Sequence, residues 1–259
     1  MSSFRKAIFV VEGMFRSDRR PVSWVLIGVT IVCWAWIVPM ALDMRGNMSG
    51  SSAWMMTSNW DSAHLFLLCA MWIVMMTGMM LPSAAPAVLD LESFERSETE
   101  RNYAPRTGFA FMAGYVAIWS GFSVLAFLFQ RLLDSVQILS PMMEIRNTRL
   151  SMTLVAVAGA YQFTPFKRSC LRSCRCLTAT SSRSGFQGGL RNGLNCLGCC
   201  WALMLLLFVG GAMNLWWIMG LSIFVLIEKM ARPGWQRTCV ITLPAVGSGF
   251  WIISTLVGR

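Results

Sequence analysis

Leu65-Phe66-Leu67-Leu68-Cys69-Ala70-Met71-Trp72-Ile73-Val74-Met75-Met76-Thr77-Gly78-Met79-Met80-Leu81 carries no charged side chain, and the uncharged run continues through Pro82 and Pro86 to Leu89. At about 1.5 Å per residue, about 20 apolar residues cross a hydrocarbon core about 30 Å thick. Backbone amides in lipid must be paired within their own segment, so such a run folds as a helix. Comparable runs recur at 22–42, 109–133, 149–166, 194–213, 215–227 and 239–257. The split between the fifth and sixth of the seven runs is read from Gly210-Gly211 and Asn214 as a tight turn. Only 13% of the 259 residues are charged and 56% are hydrophobic, whereas soluble domains carry about 25% charge. The expected architecture is all-α: a polytopic bundle of about seven transmembrane spans in a single membrane domain, 1–259. Residues 1–21 would form a cytoplasmic tail, either frayed or in part an interfacial helix. Pro82 and Pro86 should break or kink the second span.

Basic residues set the orientation, because cytoplasmic loops retain Lys and Arg. With the amino terminus inside, 17 of the 22 basic residues fall on the inner side, and the loop from Lys167 to Arg191 is the most basic of all. The net charge of +10 then acts on insertion and on anionic lipid. It argues against nucleic-acid binding, since the basic residues form no soluble domain. By the same division no acid or base lies in the middle of a span. That counts against a proton relay, which places such groups at mid-depth. The chain shows no phosphate-binding glycine loop, dinucleotide signature or nucleophile elbow, and an enzyme is the less favoured class.

Nine cysteines require a reading. Cys33, Cys69 and Cys239 stand alone in apolar runs and read as small buried hydrophobes. The other six cluster as Cys170-Leu171-Arg172-Ser173-Cys174-Arg175-Cys176 and Cys196-Leu197-Gly198-Cys199-Cys200. Both groups fall at the reducing inner face, where metal binding or thiol chemistry outweighs structural disulfides. At about 100° per helical residue, Cys196, Cys199 and Cys200 lie within about 100° of one another, on one face and within one turn. Cys170 and Cys174, four apart, would likewise share a side if helical, and up to six thiolates would converge if the loop folded back over the fifth span. Cysteines that merely ease helix packing are the alternative.

Methionine gives a second soft-ligand signal. Met71, Met75 and Met79 recur every four residues, and Met76 and Met80 form a neighbouring stripe. Thioethers and thiolates favour Cu(I) over hard ions, although a methionine stripe also serves as membrane packing. His64, the single histidine, reads as an interfacial residue near Asp61.

Three blocks together resemble a family of bacterial integral membrane proteins described as predicted metal-binding. They are Met75-Met76-Thr77-Gly78-Met79-Met80-Leu81-Pro82-Ser83-Ala84-Ala85-Pro86, Tyr161-Gln162-Phe163-Thr164-Pro165-Phe166-Lys167-Arg168-Ser169-Cys170-Leu171-Arg172-Ser173-Cys174-Arg175 and Cys196-Leu197-Gly198-Cys199-Cys200-Trp201-Ala202-Leu203-Met204. The resemblance runs roughly from residue 60 to 230. It implies a bacterial inner-membrane location and a metal site on the matching Met and Cys positions, with Gly188-Gly189-Leu190-Arg191-Asn192-Gly193 as a glycine-rich approach. Cys176 and Thr178 to Ser184 depart from the pattern, so Cys176 stays outside the ligand set.

The resulting expectation is a membrane protein that handles or senses a metal, or delivers it to a protein partner. The metal is copper ahead of zinc. The candidate ligands are Cys196, Cys199, Cys200, Cys170, Cys174, Met75, Met79 and Met80. A membrane thiol–disulfide oxidoreductase using Cys196 and Cys199 remains an alternative. So does a non-catalytic subunit or transporter whose Met and Cys residues only pack.

Overall fold

The computed structural model describes residues 21–45, 62–98, 105–136, 144–145, 147–175 and 185–230. Their regular structure is entirely helical: α1 Pro21–Arg45, α2 Ser62–Glu98, α3 Pro105–Ser135, α4 Thr148–Gln162, α5 Pro165–Arg175, α6 Phe186–Leu205, α7 Leu207–Gly210 and α8 Leu215–Met230. Among the described residues, four stretches are long and apolar enough to cross a membrane: Val22–Asp43, Ser62–Val88, Arg106–Ser135 and Phe186–Gly210. Their outward faces are apolar, with Val32, Phe66 and Leu125 exposed. A helix bathed in water would carry polar residues there. The expected 239–257 span, Cys176, Cys239, Asp61 and residues 1–20 lie outside the described residues. Helices α4 and α8, at 15 and 16 residues, are shorter than a usual span.

The long helices pack in the order α1, α2, α3, α6, with α8 against α2 and with α4 and α5 against α6. Small residues set the close approaches, as they do between membrane helices in general. A Cβ added at Gly189 of α6 would collide with the Phe111 carbonyl of α3, and one at Gly114 with the Phe186 carbonyl. Gly78 of α2 makes a looser approach, where an added Cβ would lie 2.9 Å from the Cβ of Cys33 of α1. Between α7 and α8 the turn foreseen at Gly210-Gly211 is present. Gly211 has φ +86°, a left-handed conformation that glycine adopts without Cβ strain.

Helix α2 runs without interruption through Pro82 and Pro86 to Glu98, so of the break or kink expected there the break is absent. Two span boundaries need correction. The fourth span does not reach Phe166. Helix α4 stops at Gln162, and α5 begins at Pro165, because proline disfavours helix in the residue before it and suits the first helical position. Thr164 caps α5, its Oγ1 accepting from Lys167 N at 3.3 Å. The fifth span begins at Phe186 rather than Leu194.

The segment read as a basic loop from Lys167 therefore starts as an amphipathic helix. Lys167 and Leu171 are buried, Cys170 and Cys174 are half-buried, and Arg168 and Arg172 are exposed, a period close to 3.6. Helices α4 and α5 together run antiparallel along α6. Ile145, just before α4, donates from its N to the Phe208 carbonyl at 2.9 Å. Tyr161 donates to the Gly198 carbonyl, Cys170 abuts Gly198, and Cys174 faces the Asn192 carbonyl.

Candidate metal centre

The site follows from one stripe of α6. Gly189, Gly193, Cys196 and Cys200 recur at intervals of four, three and four residues, which keeps them on one helical face. The two glycines lie against Phe111, Tyr115 and Ile118 of α3. At Gly189 such contact is open only to a residue without a Cβ, at Gly193 an added Cβ would be crowded, and the packing brings the next two turns, with their thiols, into the centre of the bundle. Cys196, Cys199 and Cys200 are 0%, 0% and 1% exposed. Among the described residues, these three form the group of potential metal ligands in mutual reach, their Sγ atoms all within 4.8 Å of one another. Cys199 Sγ lies 3.2 Å from Cys200 Sγ and 3.1 Å from the Cys196 carbonyl.

The other candidates are placed around this group with different closeness. Cys174, on α5, interacts with the thiols of Cys196 and Cys199. Cys170 sits one turn earlier on α5, with its Sγ against Gly198, beside the triad rather than within it. Met75, Met79 and Met80 are all buried in α2, at 2%, 2% and 0% exposure. Met80 is linked to the thiols through its backbone: Tyr115 Oη donates to the Met80 carbonyl at 3.1 Å and lies 3.0 Å from Cys196 Sγ. Met75 is about 7.5 Å further along the helix axis. His64, read as an interfacial residue, is buried near the start of α2, at the end away from Ser83.

Sequence reading missed the polar groups that close the site. Lys229, in the last turn of α8, donates to Ser83 Oγ at 2.7 Å and to Cys196 Sγ at 2.8 Å. Ser83 in turn donates to the Met80 carbonyl at 2.6 Å and lies 3.3 Å from Tyr115 Oη. Ser83, Met80, Tyr115, Cys196 and Lys229 thus form a ring of contacts drawn from α2, α3, α6 and α8. Next to it, Lys167 of α5 pairs with Glu228 of α8 at 2.8 Å and also donates to Gln162. Lys167 and Glu228 are almost completely buried, so the core holds an acid and a base near helix ends, while the expectation of none in mid-span is untouched by them. One signal was available: Lys167, Leu171 and Cys174 recur at intervals of four and three, the spacing of a helix face rather than of a loop.

Chemically, the arrangement offers three mutually close thiols, a fourth and a fifth at their edge, and a cation against the first. Soft sulfur donors of this kind suit Cu(I), zinc or iron–sulfur chemistry rather than hard ions. No curated protein and no solved structure matches the chain. A family model described as copper chaperone matches residues 69–253, a stretch that takes in nearly all of α2 and every helix from α3 to α8. On the strength of that match over well more than half its length, the chain belongs to the PpoB2 copper chaperone family.

Proposed function

We propose that the chain binds copper(I) as cargo within a multi-pass bundle of the bacterial inner membrane and passes it to a protein partner. Cys196, Cys199 and Cys200 form the primary site; Cys174 and Cys170 assist from α5, and Met75, Met79 and Met80 from α2. The observation that carries the reading is the buried triad of thiols within 4.8 Å in a member of a copper chaperone family. Thiolates are ligands for Cu(I), and with thioethers nearby and a lone histidine at the other end of α2, cuprous copper is favoured over zinc. The amino terminus is placed in the cytoplasm by the distribution of Lys and Arg, which sets the triad towards the cytoplasmic half of the bundle. The four long apolar helices support the bilayer as its medium.

The test is metal content. Protein purified in detergent after growth with copper and zinc should carry about one copper per chain. The Cys196→Ser/Cys199→Ser/Cys200→Ser variant, equally helical by circular dichroism, should carry none. Copper retained by that variant would move the site elsewhere. A well-folded parent without metal would sink the proposal and return the cysteines to thiol exchange or packing.

A further inference from the structure

A cuprous ion held by two or three thiolates carries net negative charge. In a site whose ligands are 0–1% exposed, water cannot offset that charge, and a buried charge without a partner is strongly destabilising. One cation is already in place. Lys229 Nζ lies 2.8 Å from Cys196 Sγ, and its other polar contact is the neutral hydroxyl of Ser83 at 2.7 Å. The adjacent carboxylate, Glu228, is turned to Lys167 at 2.8 Å. The two neighbouring residues of α8 therefore divide their work: Glu228 pairs with the cation of α5, and the charge of Lys229 is left for the thiols.

Resting on the copper reading above, we infer that Lys229 is the built-in counter-cation of the copper site, a positioning residue that balances the charge of the thiolate ligands without binding the metal. Ser83 and, through the Met80 carbonyl, Tyr115 hold its ammonium and Cys196 in register across four helices. The bland role for a lysine in the last turn of a helix is to face the carbonyl end of the helix dipole from the surface. Lys229 instead reaches inward to a fully buried sulfur.

The experiment compares the full chain with Lys229→Leu and Lys229→Arg in detergent. Copper(I) is titrated against a chromophoric cuprous chelator, and thiolate-to-copper charge-transfer absorption and apo melting temperature are read alongside. The expected result is Cu(I) affinity weaker by about 10–100-fold in Lys229→Leu, the usual cost of losing a partner of a metal ligand. Leucine removes the charge without adding a sulfur ligand. Lys229→Arg should restore most of that affinity and the absorption band. The apo melting temperature of Lys229→Leu should be unchanged or raised, because a buried charge has been removed. Parent-like copper affinity in Lys229→Leu would overturn the inference. So would a fall in apo melting temperature matching the loss of affinity and not rescued by arginine, which would mark Lys229 as a structural tie. Failure of the parent itself to bind copper would remove the copper reading and this role together, whereas an unaffected Lys229→Leu removes only the role.

Discussion

The two ends of the core that α2, α3 and α6 build are made of different material. At the Trp72 end the contacts are aromatic. Trp72 stacks on Phe208 with ring centroids 5.2 Å apart, Phe129 meets Phe208 edge-on at 5.3 Å, and the Trp72 indole donates to Gln130. Ser123 closes this region by donating to the Trp72 carbonyl at 3.2 Å. At the Ser83 end, about three turns along α2, thiols, hydroxyls and an ammonium meet instead. Both ends hold fully buried side chains, Trp72 and Phe208 at one and Tyr115 and Cys196 at the other. One end satisfies its polar groups with a few local hydrogen bonds and otherwise packs. The other concentrates groups that packing alone would not select, since buried polar networks are costly unless fully paired. The contrast separates scaffold from site within one continuous core.

Breaking the scaffold end should cost the most stability. Trp72→Ala removes a fully buried ring, and truncations of this kind cost about 3–5 kcal/mol. We expect a large fall in melting temperature, measured by circular dichroism in detergent, with copper bound per folded chain unchanged. Copper lost in step with the folded fraction keeps the distinction; copper lost from chains that remain folded would merge the two ends. A smaller effect sharpens the other side. Tyr115→Phe deletes the hydroxyl that joins the Met80 carbonyl to Cys196. It should cost about 1 kcal/mol, read in a chelator competition as Cu(I) affinity about fivefold weaker at unchanged stoichiometry.

The long helices were legible because charge is excluded from them over more than 20 residues. The triad was legible because a spacing of three and four places side chains on one face whatever surrounds the helix. The glycine-rich approach acquires a reason only in three dimensions: Gly189 and Gly193 are small because α3 passes against them. Other features escaped because they are made by distant partners. Lys167 and Glu228 lie 61 residues apart, and Lys167 read as the start of a basic loop. Lys229, directly after an apolar run, entered only the count of inner basic residues. In fact α8 brings it to Ser83, 146 residues away, and to Cys196, 33 residues away. The break between α4 and α5 was written in Thr164-Pro165 and was overrun by the apolar count, which carried the span on to Phe166.

The central claim is that sulfur, brought together on α6, holds the metal. X-ray absorption at the copper edge of the copper-loaded full chain tests it most directly. The account predicts cuprous copper with a first shell of sulfur alone, lost when Cys196, Cys199 and Cys200 are replaced by serine. A first shell of nitrogen or oxygen, or a sulfur shell that survives that replacement, would contradict it.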